Sequence, residues 1–192
     1  MAIYIVIGCL TFICFGIFDL SKIRFIHKST TILVILGSIV ITFSTVKIII
    51  SNYSMRISTP LQCLELLLAI LALFLTVYTI FFAVSFKKTY IETKKGNTVV
   101  NTGMYALCRH PGVIWFFFFY LFLGLAFNNK VLLTATLVWT FLDIVYVYAQ
   151  DRWIFPIMLE GYYTYKKQVP FLIPNFTSFR NCISPLLEKV FK

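Results

Sequence analysis

Charged residues are scarce in this sequence: they make up 12% of 192 residues, and only seven are acidic. A water-soluble domain carries roughly a quarter, so a chain built to face water on all sides is excluded. Histidine is scarcer still. Only His27 and His110 occur, which excludes a histidine-rich metal site. The five cysteines, Cys9, Cys14, Cys63, Cys108 and Cys182, form no C-x-x-C pair, so neither a zinc site nor a disulfide framework is indicated. Cys9, Cys14 and Cys63 read as small hydrophobes in helices. There is no G-x-G-x-x-G turn, P-loop, H-E-x-x-H or G-x-S-x-G. Internal repeats and low-complexity tracts are also missing.

What the sequence has is apolar length. Hydrophobic residues make up 60% and mean hydropathy is +0.89. A bilayer core about 30 Å thick requires about 20 apolar residues in a helix. Ala2 to Leu20, Thr31 to Ile50 and Leu61 to Phe86 meet that. The first run is followed, not preceded, by basic residues (Lys22, Arg24, Lys28), the reverse of a secretory leader, so it is expected to stay in the mature chain. Gly112 to Phe127 and Val131 to Gln150, separated by Asn128, Asn129 and Lys130, predict a helical hairpin. Its first arm, about 16 residues, is short for a span and is expected to recruit residues before Pro111 or to sit where the bilayer thins. From Asp151 onward aromatic, basic and proline residues mix, which reads as an interfacial segment against the bundle.

The expected fold is therefore all-α, one membrane domain (1–192) of about five transmembrane helices. Residues 1–86 hold three of them, 87–175 a polar loop, the hairpin and the interfacial tail, and 176–192 a C-terminal tail. Net charge is +10, but the basic residues flank apolar runs and form no stripe with interleaved aromatics, so nucleic acid is not the expected partner. With the N-terminus outside, fourteen of the seventeen basic residues lie inside, leaving Arg56, Lys130 and Lys47. The positive-inside rule favours that orientation, with a cytoplasmic C-terminus, in the cell membrane if the source is prokaryotic.

This topology brings two polar stretches to one membrane face. The first is Gly103-Met104-Tyr105-Ala106-Leu107-Cys108-Arg109-His110-Pro111. Pro111 is placed to start a helix, whose first-turn amides with Arg109 suit a carboxylate; alternatively Arg109 and His110 snorkel to the interface. The second stretch has Gln150, Asp151 and Arg152, with Tyr162 and Tyr165 one turn apart beyond them. A carboxylate there could hold a hydroxyl, an amino group or a sulfonium, with aromatic faces attracting the same cation. The alternative is an Asp151–Arg152 interface anchor. Asp143, eight residues before Asp151, is expected on nearly the same face of its helix, and an intramembrane carboxylate is a candidate by default; it could equally pair with a neighbouring helix. Asp143 and Trp115 are the expected lining of a substrate pocket. Glu65 reads as structural and His27 as a solvated surface residue.

The order of these pieces, G-M-Y-A-L-C-R-H-P, a hairpin, Q-D-R, then Y-x-x-Y-x-x-x-V-P-x-x-x-P, resembles the C-terminal region of the isoprenylcysteine carboxyl methyltransferase family and its relatives, phospholipid N-methyltransferases among them. The likeness covers Gly96 to Asn175. It implies a cytoplasmic site for S-adenosylmethionine formed by Gly103, Tyr105, Ala106, Leu107, Arg109, His110, Pro111, Gln150, Asp151, Tyr162 and Tyr165, closed by Val169, Pro170 and Pro174. Arg109 and Asp151 would be the catalytic pair. Three departures stand out: Gly112 and Val113 where the family has an aromatic residue, Gln150 where it has a second acid, and one residue fewer between Arg152 and Tyr162. The second removes a negative charge beside a cationic cofactor.

The activity this implies is methyl transfer from S-adenosylmethionine to a lipophilic or membrane-partitioning acceptor that enters from the lipid. Such an enzyme works chiefly by alignment in a dry site. Two rivals stay open. Membrane sterol reductases, which use NADPH, look related over the same stretch, and a non-enzymatic membrane protein could retain the fold.

Overall fold

The computed structural model describes residues 2–23, 30–51, 59–82, 97–99 and 101–190. Helices α1 (Ala2–Ile23), α2 (Thr31–Ser51), α3 (Pro60–Val77), α5 (Pro111–Ala126) and α6 (Lys130–Ala149) form the bundle. A single turn, α4 (Met104–Leu107), precedes α5. Past α6 come α7 (Phe155–Met158), α8 (Tyr162–Gln168) and α9 (Phe176–Val190). Among the described residues four helices are long and apolar enough to cross a membrane, and α5 is a shorter apolar one. The chain is an all-α membrane bundle. Two-residue strands β1 (Asn97–Thr98) and β2 (Leu159–Glu160) pair in parallel and hold the loop before α4 against the end of α7. Of the residues weighed in the sequence, His27, Arg24, Lys28, Arg56, Lys87, Lys88, Lys94, Lys95, Gly96 and Lys192 lie outside the described residues.

The helices are packed with small and hydroxylated residues inward and large apolar ones outward. On α1, Gly8 and Thr11 are buried while Ile3, Val6, Leu10, Ile13 and Ile17 are exposed. On α2, Ser44 and Thr45 are buried while Ile39, Phe43 and Val46 are exposed. Lipid is as apolar as leucine, so close backbone approach and interhelical hydrogen bonds select the inner face. The Thr11 hydroxyl donates to Gly37 O at 3.0 Å. Trp139 of α6 fills the centre, wholly buried among Ile48, Leu132, Ala135 and Tyr120. Its indole donates to Ile5 O at 3.0 Å, and a Cβ on Gly8 would lie 2.3 Å from its ring.

Local signals set the helix ends. Thr59 and Gln62 form a capping box on α3, with Pro60 in its first turn. At the hairpin turn Asn128 adopts φ 46, a left-handed conformation that asparagine tolerates. Asn129 caps α6 through Leu132 N at 3.0 Å and donates to Ile48 O at 3.2 Å, fastening the turn to α2. Gly124 sits under Leu133 where the two arms cross.

Two expectations are corrected. First, α5 begins at Pro111 and recruits none of the residues before it, because Cys108 is extended and breaks the helix there. Second, Asp151 does not open an interfacial segment. The helix continues from α6 through a π-helical stretch, Gln150–Ile154, into α7. Pro156 falls in the first turn of α7, where a missing N–H is tolerated, so nothing stops the helix earlier.

Candidate functional site

The Arg109–His110 step is held as a strand would be. Pro111 disfavours helical geometry in the residue before it, and His110 is found at φ −128, ψ 61. The Arg109 N–H donates to Pro170 O at 2.9 Å and the His110 N–H to Phe171 O at 3.3 Å. These main-chain bonds join the two distant stretches directly. Tyr165 adds a third tie, its hydroxyl donating to Tyr105 O at 2.8 Å.

Asp151 is the centre of what results. It is 3% exposed. Its Oδ1 accepts from the Tyr162 hydroxyl at 2.6 Å and lies 3.1 Å from Arg109 Nε and 3.5 Å from His110 Nε2. Its Oδ2 accepts from the Lys166 ammonium. Arg109 Nη1 donates to Lys166 O at 3.2 Å, and the guanidinium lies over Phe171 at 5.5 Å. The His110 ring stacks on Phe155, with centroids 5.8 Å apart, and meets Phe171 edge-on. Two permanent cations thus surround one carboxylate, leaving a surplus of positive charge. Arg109 Nε and His110 Nε2 are buried without the alignment a hydrogen bond needs.

Burial governs the titration of this cluster. It pushes His110 below the usual histidine range; Asp151 opposes the shift, while Arg109 and Lys166 reinforce it. The imidazole is therefore neutral at neutral pH. Burial also raises Tyr162, further raised by the Asp151 charge, and Tyr165, so both are hydroxyl donors only. Tyr105 is pushed up to about 12 and Cys108 to about 11, burial being the main cause of each. Cys108 is a buried thiol, not a nucleophile.

Other expected site residues are placed differently. Gln150 does not join Asp151: its Nε2 donates to Asp19 Oδ2 at 2.7 Å and to the Tyr146 hydroxyl at 2.8 Å, while Tyr146 itself donates to Asp19 Oδ2 at 2.7 Å. Asp143 shares a face of α6 with Tyr146 and Gln150, at i, i+3 and i+7, rather than with Asp151, which the π-helical stretch turns toward α8. It is half-buried. Trp115 is half-buried, its indole N–H without a partner. It stands nine residues from Gly124, about half a turn round α5 from the seam with α6, so Trp115 and Asp143 do not form one pocket. The Tyr105 hydroxyl points away from Asp151, donating to Thr79 O at 3.1 Å. Ala106 is buried and Leu107 half-buried in α4, Gly103 starts that turn at φ 60, and Glu65 is half-buried on α3.

Two residues escaped the sequence reading. Lys166 passed as one of many interfacial lysines. Asp19 is fully buried, with Oδ1 lacking a hydrogen-bond partner. Its signal was available, since it is the only acid before Glu65 and lies inside an apolar run.

The chain matches no protein-family model, no curated protein and no solved structure. Among the described residues no group of three or more His, Cys, Asp or Glu side chains could hold a metal ion. Chemically, the Asp151 cluster is a dry site with cationic donors, one carboxylate and aromatic walls.

Proposed function

We propose that this protein is a membrane methyltransferase that binds S-adenosylmethionine at the Asp151 cluster and methylates a lipophilic acceptor. The observation that carries the reading is the convergence of Arg109, His110, Tyr162 and Lys166 on Asp151, because it draws on both stretches of the family resemblance. The residues fit the group: the positive surplus and the unpartnered Arg109 Nε suit a carboxylate, Asp151 suits an ammonium or hydroxyls, and Phe171 and Tyr148, 6.2 Å apart, offer ring faces. When bound, S-adenosylmethionine supplies an activated methyl group. Arg109 and Asp151 position, neutral His110 donates or accepts without charge, and burial excludes water. Lys166, whose side chain is 32% exposed, is the partner of Asp151 that a ligand can displace.

The orientation belongs to the same reading. Lys22, Arg152, Lys166, Lys167 and Arg180 follow the ends of α1 and α6, whereas Lys47 and Lys130 lie toward the hairpin turn. The positive-inside rule then puts the cluster and the C-terminus in the cytoplasm and the N-terminus outside. Purified protein in nanodiscs is expected to bind S-adenosylhomocysteine, and Asp151→Ala to weaken binding at least about tenfold. Unchanged affinity in that variant would remove Asp151 from the site. Membranes incubated with methyl-labelled cofactor should yield a labelled lipid-soluble product.

One observation favours a second reading. Asp151 is already satisfied from within by Tyr162, Arg109 and Lys166, as in a tie that serves structure alone. A non-enzymatic membrane protein would show no thermal shift with S-adenosylmethionine or with NADPH, whereas a shift with NADPH alone would mark a reductase.

A further inference from the structure

Helix α9 wears its amphipathic pattern inside out. Its start is fixed by a reciprocal cap: the Asn175 side chain accepts from Ser178 N at 2.8 Å and the Ser178 hydroxyl accepts from Asn175 N at 3.0 Å. Ser178 is 1% exposed, and Cys182, one turn on, is half-buried and lies near Cys108 at the end of α4. That polar face packs on the protein. Phe176 and Phe179, which share the other side with Ile183 at i, i+3 and i+7, are 85% and 54% exposed. A helix in water would turn the phenylalanines inward and the serine outward.

The outward face is continuous with the lipid-facing surface of the bundle. Phe141, Val145 and Tyr148 form the exposed stripe of α6; Tyr148 contacts Trp153 and Phe171, and the exposed Ile173 follows. Basic residues accompany it. Arg180 is exposed beside Phe179, and Lys167 is exposed on α8. We infer that α9 lies in the plane of the membrane at the face where the Asp151 cluster emerges, with Phe176, Phe179 and Ile183 in the acyl boundary and Arg180 among anionic lipid head groups. Because α9 packs on α4, the lipid surface braces the segment that carries Arg109 and His110.

The test is a nitroxide scan of the full chain in nanodiscs, with the native cysteines replaced. Spin labels at Phe176, Phe179 and Ile183 are expected to show an oxygen-to-nickel accessibility ratio about threefold or more above labels at Asn181 and Ser184. Nickel access at all five positions would overturn the inference. Discs containing phosphatidylglycerol should seat the labels deeper than discs of phosphatidylcholine, and Arg180→Ala should abolish that difference; equal depth in both lipids overturns the assignment to an anionic surface. Should the cysteine replacements unfold the chain, Phe179→Trp in the native background reports the same contact. Quenching by brominated lipid above that of the parent supports it, and quenching by aqueous iodide alone refutes it.

Discussion

Gln150 donates to Asp19 across 131 residues of sequence, and this one bond turns it away from its neighbour Asp151. The acid that the family resemblance expects at position 150 is thus not simply missing. A carboxylate stands in that neighbourhood, supplied by α1.

Gln150→Glu would set two carboxylates at hydrogen-bond distance in a buried seam, where like charges repel strongly. The variant should lose thermal stability at neutral pH, and Asp19→Asn added to it should restore most of the loss. A double-mutant cycle read by thermal unfolding in detergent is expected to give a coupling of about 0.5–3 kcal/mol. Additive effects would mean that the two side chains do not meet.

Gly8→Ala tests the Trp139 centre. A Cβ at 2.3 Å from the indole ring forces ring or helix to move, at a cost of about 1–3 kcal/mol. Gly16 has nothing within 4 Å of such a Cβ, so Gly16→Ala is the control and should be neutral or stabilising. Equal unfolding temperatures for the two variants would contradict the packing.

His110 supplies a pH signature. Its folded pKa lies below the unfolded value of 6.5, so folding favours the neutral ring. That contribution is complete above about pH 6.5 and is lost as pH falls toward the folded pKa. Unfolding temperature should hold steady from pH 8 to 7 and decline below 6.5. His110→Phe, which keeps the stacking on Phe155, should flatten the decline; an unchanged profile in that variant would assign the slope to other groups.

Tyr162→Phe deletes the 2.6 Å bond to Asp151 while keeping the ring between Phe155 and Tyr165. A hydrogen bond to a charged group contributes about 1.5–3 kcal/mol. Loss of that order in the unfolding free energy is expected, with helical content unchanged.

The bundle was legible because apolar length is a direct physical signal: the starts of α1, α2 and α5 and the hairpin between Phe127 and Lys130 follow from composition and from Pro111 alone. The convergence of Arg109 and Asp151 was legible from topology. Details governed by helix phase were not. An extra residue wound into Gln150–Ile154 changes which side chains share a face, so Asp143 aligns with Gln150 instead of Asp151. The linear pattern carries no mark of that winding. Nor does it show Lys166 and Asp19 meeting their partners, since those contacts join helices far apart in the chain.

Asp19 belongs to the first helix to leave the ribosome and Gln150 to the last stretch of the bundle. A buried carboxylate therefore waits in the bilayer through most of translation, at the energetic cost that lipid imposes on an unmatched acid. A chain truncated before Tyr146 has no means of relieving it, which gives the cell a chemical criterion for telling an unfinished copy from a finished one.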